Sequence, residues 1–267
     1  MRTARAAALA VLLFVSLSCL FAGLFAPAGY QTQYRDSPNV APSHRFLLGT
    51  DELGRDRFSR LIYGGRVSLV LAPTAALISV LLAALIGGVS GYLGGWVEKS
   101  AMTVTDLFLS LPWLFLLITV RAVLPLNTSP SISILITFSL LGILGWAATA
   151  RVLASAARGI RRSDYILQAE GAGMRGWRLF AVHVLPNMKE ILLAQFWISI
   201  PVFILAEANL GLLGLGVSEP MPSWGGMLRE LENFSALHDE PWRFAPLILL
   251  LLVVSAFQVV LPQKENA

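Results

Sequence analysis

Long apolar runs separated by short polar blocks dominate the chain. Six of them approach the roughly 20 residues needed to cross a hydrocarbon core: Ala6–Phe25, Ser68–Tyr92, Ala101–Ala122, Ile132–Ala156, Ile191–Leu213 and Phe244–Leu261. The runs are continuous rather than alternating, which predicts helices and not barrel strands. The expected architecture is all-α, a polytopic transmembrane helical bundle of six spans. Pro73, Pro112 and Pro201 fall inside runs and predict kinks. Gly87, Gly91 and Gly95 recur every four residues, a stripe that lets another helix approach closely, from this chain or from a second subunit. Gly211, Gly214 and Gly216, followed by Pro220, Pro222 and Trp224, mark a helix end passing into an interfacial loop.

The polar blocks divide the chain. Residues 1–27 form an N-terminal span, and 28–67 an external loop. A five-helix core covers 68–262 and includes the polar loop 158–189, leaving a short tail at 263–267. Within the first loop, Phe58, Leu61 and Ile62 fall at helical spacing while Arg55, Arg57 and Arg60 take other faces, which predicts an amphipathic helix lying at the interface. The first run can also be read as a cleaved signal peptide, with Ala26-Pro27-Ala28 as the cleavage site; its length and Pro27 favour a span.

Composition agrees with the pattern. The chain is 56% hydrophobic and 13% charged, with mean hydropathy +0.69. Its small net charge of +4 is carried by arginines beside apolar runs, which orients helices in a bilayer and argues against a nucleic-acid footprint. Arg2 and Arg5 precede the first run, and seven basic residues (Arg151, Arg158, Arg161, Arg162, Arg175, Arg178, Lys189) face two acids (Asp164, Glu170) in the fourth connection. With six spans these regions share the cytoplasmic side, and both termini are cytoplasmic. Val217–Arg243, with five acids against two arginines, fits the outside. The arginine-rich loop between the first two runs does not fit the same rule.

Catalytic signatures are missing from this sequence. It has no G-x-x-x-x-G-K-[ST] loop, no H-E-x-x-H and no G-x-S-x-G, and its histidines (His44, His183, His238) lie in separate loops. The reading is therefore a non-enzyme without catalytic residues, cofactor or metal of its own. Cys19, the single cysteine, can form no internal disulfide. Two acids lie within runs: Asp106 near the start of the third, and Glu207 deep in the fifth, roughly 24 Å along at 1.5 Å per residue. Each reads either as lining a translocation path or gate, or as a structural group paired near a membrane boundary.

The loop Arg158–Asn187 is longer than a membrane turn requires. Ser163 or Asp164 is placed to cap a short helix, Gly173 to break it, and Leu185-Pro186 to start the next span. Its residues resemble the coupling loop of permease subunits in binding-protein-dependent ABC importers, whose motif reads E-A-A-x3-G-x9-I-x-L-P. Ala169, Gly173, Leu185 and Pro186 match in register, whereas Leu167 stands in place of the Glu, Gln168 replaces the first Ala and His183 the Ile. Leu48-Gly-Thr-Asp-Glu-Leu-Gly-Arg-Asp56 with Ser59–Leu69, and Glu207 with Leu213–Gly216 and Pro222–Leu228, are similar to the two signatures of the dipeptide/oligopeptide/nickel permeases, second-subunit type. Trp146, Arg151, Asp164, Tyr165, Asp106 and Pro112 also sit where that family has them. After Leu261 the sequence departs from the family's G-D-x-L-R-D tail.

The resemblance implies an ABC transporter permease in a bacterial inner membrane, carrying di- or oligopeptides. Its partners would be a second homologous permease, two ATPase subunits that hold the ATP, and an extracytoplasmic substrate-binding protein. The ATPase-coupling residues would be Leu167, Gln168, Ala169, Glu170, Gly173, Arg175, Arg178, Leu185 and Pro186. The alternative is a divergent structural subunit that assembles without coupling. Nickel remains a second cargo class within the family.

Overall fold

A computed structural model describes residues 2–125, 128–232 and 240–260. The tail 263–267, His238 and part of the Val217–Arg243 loop lie outside the described residues. The architecture is an all-α polytopic bundle, with no strand among the described residues beyond two isolated bridges, Gln33 with Arg55 and Thr50 with Asp56. The helices are α1 (Arg2–Leu20), α2 (Ala22–Phe25), α3 (Arg57–Ala83), α4 (Val89–Leu93), α5 (Gly95–Ser110), α6 (Trp113–Val123), α7 (Pro130–Leu144), α8 (Trp146–Arg161), α9 (Asp164–Gly171), α10 (Gly176–Leu179), α11 (Leu185–Asn187), α12 (Lys189–Leu212), α13 (Trp224–Leu228) and α14 (Ala245–Val260).

Among the described residues five helical stretches are long and apolar enough to cross a membrane: Thr3–Leu20, Arg57–Leu93, Pro130–Arg161, Lys189–Leu212 and Pro241–Val260. The third predicted run supplies a sixth as a pair, α5 and α6, bent by 78°. The break follows from Pro112. A residue before proline is pushed out of the helical region, and Leu111 is extended at φ −89°, ψ 132°. Pro73 and Pro201 instead lie inside α3 and α12, neither of which is interrupted.

The chain forms two compact units. The first comprises Met1–Pro73, Arg121–Phe138 and Pro201–Ala267. In it α1 packs along α14, and Gly65 leaves room for Cys19 and the Trp224 ring, whose Nε1 donates to the Leu61 carbonyl at 3.0 Å. The predicted amphipathic helix is absent as a separate element. Phe58, Leu61 and Ile62 are helical but belong to the first turns of α3, and Arg55, Arg57 and Arg60 are buried rather than spread at a lipid surface. Ion pairing explains the difference. Asp51 takes Arg55 Nε at 2.6 Å, Glu219 takes Arg55 at 2.7 Å and Arg60 at 2.8 Å, and Arg57 pairs with Glu230. Burial alone would lower the pKa of Arg55; the hydrogen bond and charge of Asp51, then those of Glu219, outweigh it and hold it above its ordinary value. Asp56 begins α3 by accepting the Ser59 amide at 2.8 Å, an N-cap arrangement.

The second unit comprises Thr74–Val120 and Ser139–Ile200. Its centre is α8, which the glycine stripe packs against. A Cβ at Gly87 or Gly91 would overlap the carbonyls of Ala150 or Ala154, so the approach is backbone to backbone within this chain. Gly95 does not share that contact: a Cβ there meets nothing within 4 Å. Tyr92, Trp146, Leu153, Ile166, Leu179, Phe180, Val184 and Met188 close one apolar core around α8.

Candidate functional site

The predicted loop folds as a short helix, a glycine turn and a second helical arm. Ser163 occupies the N-cap position of α9, although its hydroxyl turns back to the Ile160 carbonyl at 2.5 Å. Gly173 ends the helix at φ +89°, a left-handed conformation that disfavours any side chain. The Met174 amide donates to the Ala169 carbonyl at 3.0 Å and the Gly173 amide to Glu170 at 2.9 Å, the two bonds of a Schellman cap. Beyond Gly176, α10, a π turn at Phe180–Val184 and α11 lead toward α12, so Leu185-Pro186 lie within a helical run just before the span.

Pegs hold this turn to the second unit. Ile166, Leu179 and Val184 are fully buried, and Ala169 and Met174 pack partly against the same core. The Tyr92 hydroxyl donates to the Gly176 carbonyl at 2.9 Å. Arg161 donates to the carbonyls of Tyr92 and Leu93 and lies 5.5 Å from the Tyr92 ring. The outward face is a different matter. Leu167, Gln168, Gly173, Arg175, Arg178, Leu185 and Pro186 are exposed there, as is Trp177 at 66%. Trp177 is prominent on this face although it matches no motif position; a tryptophan in an otherwise polar loop is the signal for it.

Leu167 and Glu170 also line a cavity of about 490 Å³ with Glu98, Arg158, Arg161 and Arg162. Arg158 pairs with Glu98 at 2.6 Å, while Glu170 makes no ion pair among the described residues. A carboxylate therefore stands one helical turn from the position where the resembled motif has its Glu.

The two membrane acids lie in different units. Asp106 is exposed and pairs with Arg151, itself exposed. Glu207 is fully buried. Ser68 donates to its Oε2 at 3.2 Å, and the Ser223 hydroxyl and Gly225 amide also bond its carboxylate. Gly211 and Gly225 permit this closeness, since a Cβ on Gly225 would sit 2.7 Å from the Glu207 carbonyl. The carboxylate thus ties the start of α13 to α12 and α3. Arg121, fully buried at the end of α6, is a further candidate; its signal in the sequence is a lone cation in an apolar run.

Residues 80–261 match the family model described as the binding-protein-dependent transport system inner membrane component. The chain is 32% identical over 256 residues to the dipeptide transport system permease protein DppC of Bacillus subtilis, covering 95% of this chain and 78% of that one. It is 31% identical over 253 residues to the oligopeptide transport system permease protein OppC of the same organism, covering 94% and 80%. Against the di/tripeptide transport system permease protein DppC of Pseudomonas aeruginosa it is 35% identical over 229 residues, covering 84% and 74%.

Proposed function

The chain belongs to the family of binding-protein-dependent transport system inner membrane components, and from that premise we propose that it is the permease subunit of an ATP-driven importer of di- and oligopeptides. It contributes half of a transmembrane pore beside a second homologous permease. Two separate ATPase subunits bind and hydrolyse ATP, so this chain needs no nucleotide site. An extracytoplasmic binding protein delivers cargo to the outer loops, and both termini face the cytoplasm.

The observation that carries this reading is the turn 164–178, pegged by Ile166 and Leu179 while it presents Leu167, Arg175, Trp177 and Arg178 outward. A rigidly held, exposed apolar and basic surface suits docking into an acidic-rimmed groove on an ATPase subunit. Closure of the ATPases around ATP then pushes on the second unit and drives alternating access. Glu170 supplies the carboxylate that Leu167 lacks. Leu185 and Pro186 set the second arm, and the Asp106–Arg151 pair belongs to the cargo path or its gate. Glu207 acts from within by holding α13 in place.

One observation favours a second reading. With Leu167 in the motif's acidic position, the subunit would assemble but not couple. The complex with its ATPases separates the two. Substrate-stimulated ATP hydrolysis is expected in the wild type, and its loss without loss of co-purification in Gly173→Trp. Full stimulation after deletion of Ala169–Trp177 would sink the docking assignment, and assembly with no stimulation in the wild type would favour the non-coupling subunit.

A further inference from the structure

We infer that the first unit contains a carboxylate-binding site built on Arg121 and Arg229, and that its ligand is the free C-terminal carboxylate of the cargo. Arg121 is fully buried at the end of α6. Among the described residues its guanidinium reaches only neutral oxygens: the Pro125 carbonyl at 3.4 Å, the Ser133 hydroxyl at 3.2 Å and the Gly216 carbonyl at 3.4 Å. All three contacts are long for a charged donor. Its Nε has no partner among the described residues. A buried guanidinium without a counter-ion is strongly unfavourable, and ionisable groups at membrane depth mark functional sites.

Arg121 lies in the wall of a cavity of about 470 Å³, where the buried Thr128 hydroxyl also lacks a partner among the described residues. Arg229 lines the same cavity; it is exposed and forms no ion pair among the described residues. Glu219, the one acid lining the cavity among the described residues, is already shared between Arg55 and Arg60. The remaining charge is therefore positive, and two planar forks suit the two oxygens of a carboxylate. Choosing the cargo as its source rests on the peptide-permease reading, because every unmodified peptide carries such a group.

The test places the full chain in nanodiscs and follows saturation-transfer NMR of trialanine and of trialanine amide. Trialanine is expected to bind saturably, with the amide roughly tenfold weaker, the effect of removing a charge-assisted contact. Arg229→Gln, at an exposed position, is expected to weaken trialanine by roughly tenfold and leave the amide unchanged. Arg121→Lys keeps the charge but not the fork and is expected to act in the same direction. Equal binding of acid and amide, no binding of trialanine, or indifference to Arg229→Gln overturns the site. Absent trialanine binding, together with loss of a partner subunit from the purified complex in Arg229→Gln, would assign the cavity to a protein side chain, which also overturns it. Import of trialanine by the reconstituted complex is scored separately. Carboxylate binding without import sinks only the permease reading, and import with amide-insensitive binding sinks only this site.

Discussion

At Asp51 a single carboxylate organises much of the first unit's polar cluster. It accepts the Arg55 guanidinium at 2.6 Å, the Arg55 amide at 2.8 Å and the Leu53 amide at 3.0 Å, with almost no access to water. Truncating one partner of such a pair leaves the other charge buried, so Asp51→Ala should cost about 3–5 kcal/mol. Glu219 pairs with two buried arginines but is itself 63% exposed, so water can take its place beside them, and Glu219→Ala should cost less than Asp51→Ala. Thermal unfolding of the purified chain in one detergent tests both, and equal losses would contradict the ranking. The glycines separate in the same manner. Gly91→Leu drives a side chain against the Ala154 backbone, whose Cα lies 2.7 Å from the new Cβ, and should cost about 2–3 kcal/mol or prevent folding. Gly95→Ala meets no atom and carries only the strain of φ +59°, about 1–2 kcal/mol.

Among elements, the turn formed by α9, Gly173 and α10 has an inner face that holds and an outer face that is free. Ile166→Ala empties a fully buried site and should destabilise the chain by about 2–5 kcal/mol. Trp177→Ala removes a ring that is 66% exposed but rests on Phe180 at 5.1 Å between centroids, so it should cost at most about 1 kcal/mol, while lowering substrate-stimulated ATP hydrolysis by about fivefold or more if it anchors the ATPase. Measuring stability and stimulation on the same samples separates the faces; parallel losses in Trp177→Ala would show that the ring serves folding. The break between α5 and α6 has an equally local cause, Pro112 acting on Leu111. Both breaks were legible in the sequence because glycine acts on its own backbone and proline on the residue before it, although the same signal at Pro73 and Pro201 interrupts neither α3 nor α12. The separate amphipathic helix was not. Apolar spacing at Phe58, Leu61 and Ile62 locates a helix but does not say whether it stops before the span, and the partners that bury its arginines lie far along the chain.

For the molecule as a whole, the proposed orientation makes a sidedness prediction. In a Cys19→Ser background, a cysteine at Trp177 should react with an impermeant maleimide only in inside-out vesicles, and one at Arg35 only in right-side-out cells. The opposite pattern would invert the topology and place the proposed coupling surface away from any ATPase. Fold class, the apolar runs, the breaks at Pro112 and Gly173 and the family were determined by the sequence itself, since hydropathy, backbone preference and short motifs are local properties. Only the tertiary structure decided that the Gly87 and Gly91 stripe meets α8 of this same chain, that Arg55 pairs with Glu219 across 164 residues, and that Arg121 lies buried among neutral oxygens. Those facts depend on which distant residues share a neighbourhood, and a charge in a sequence does not carry the address of its partner.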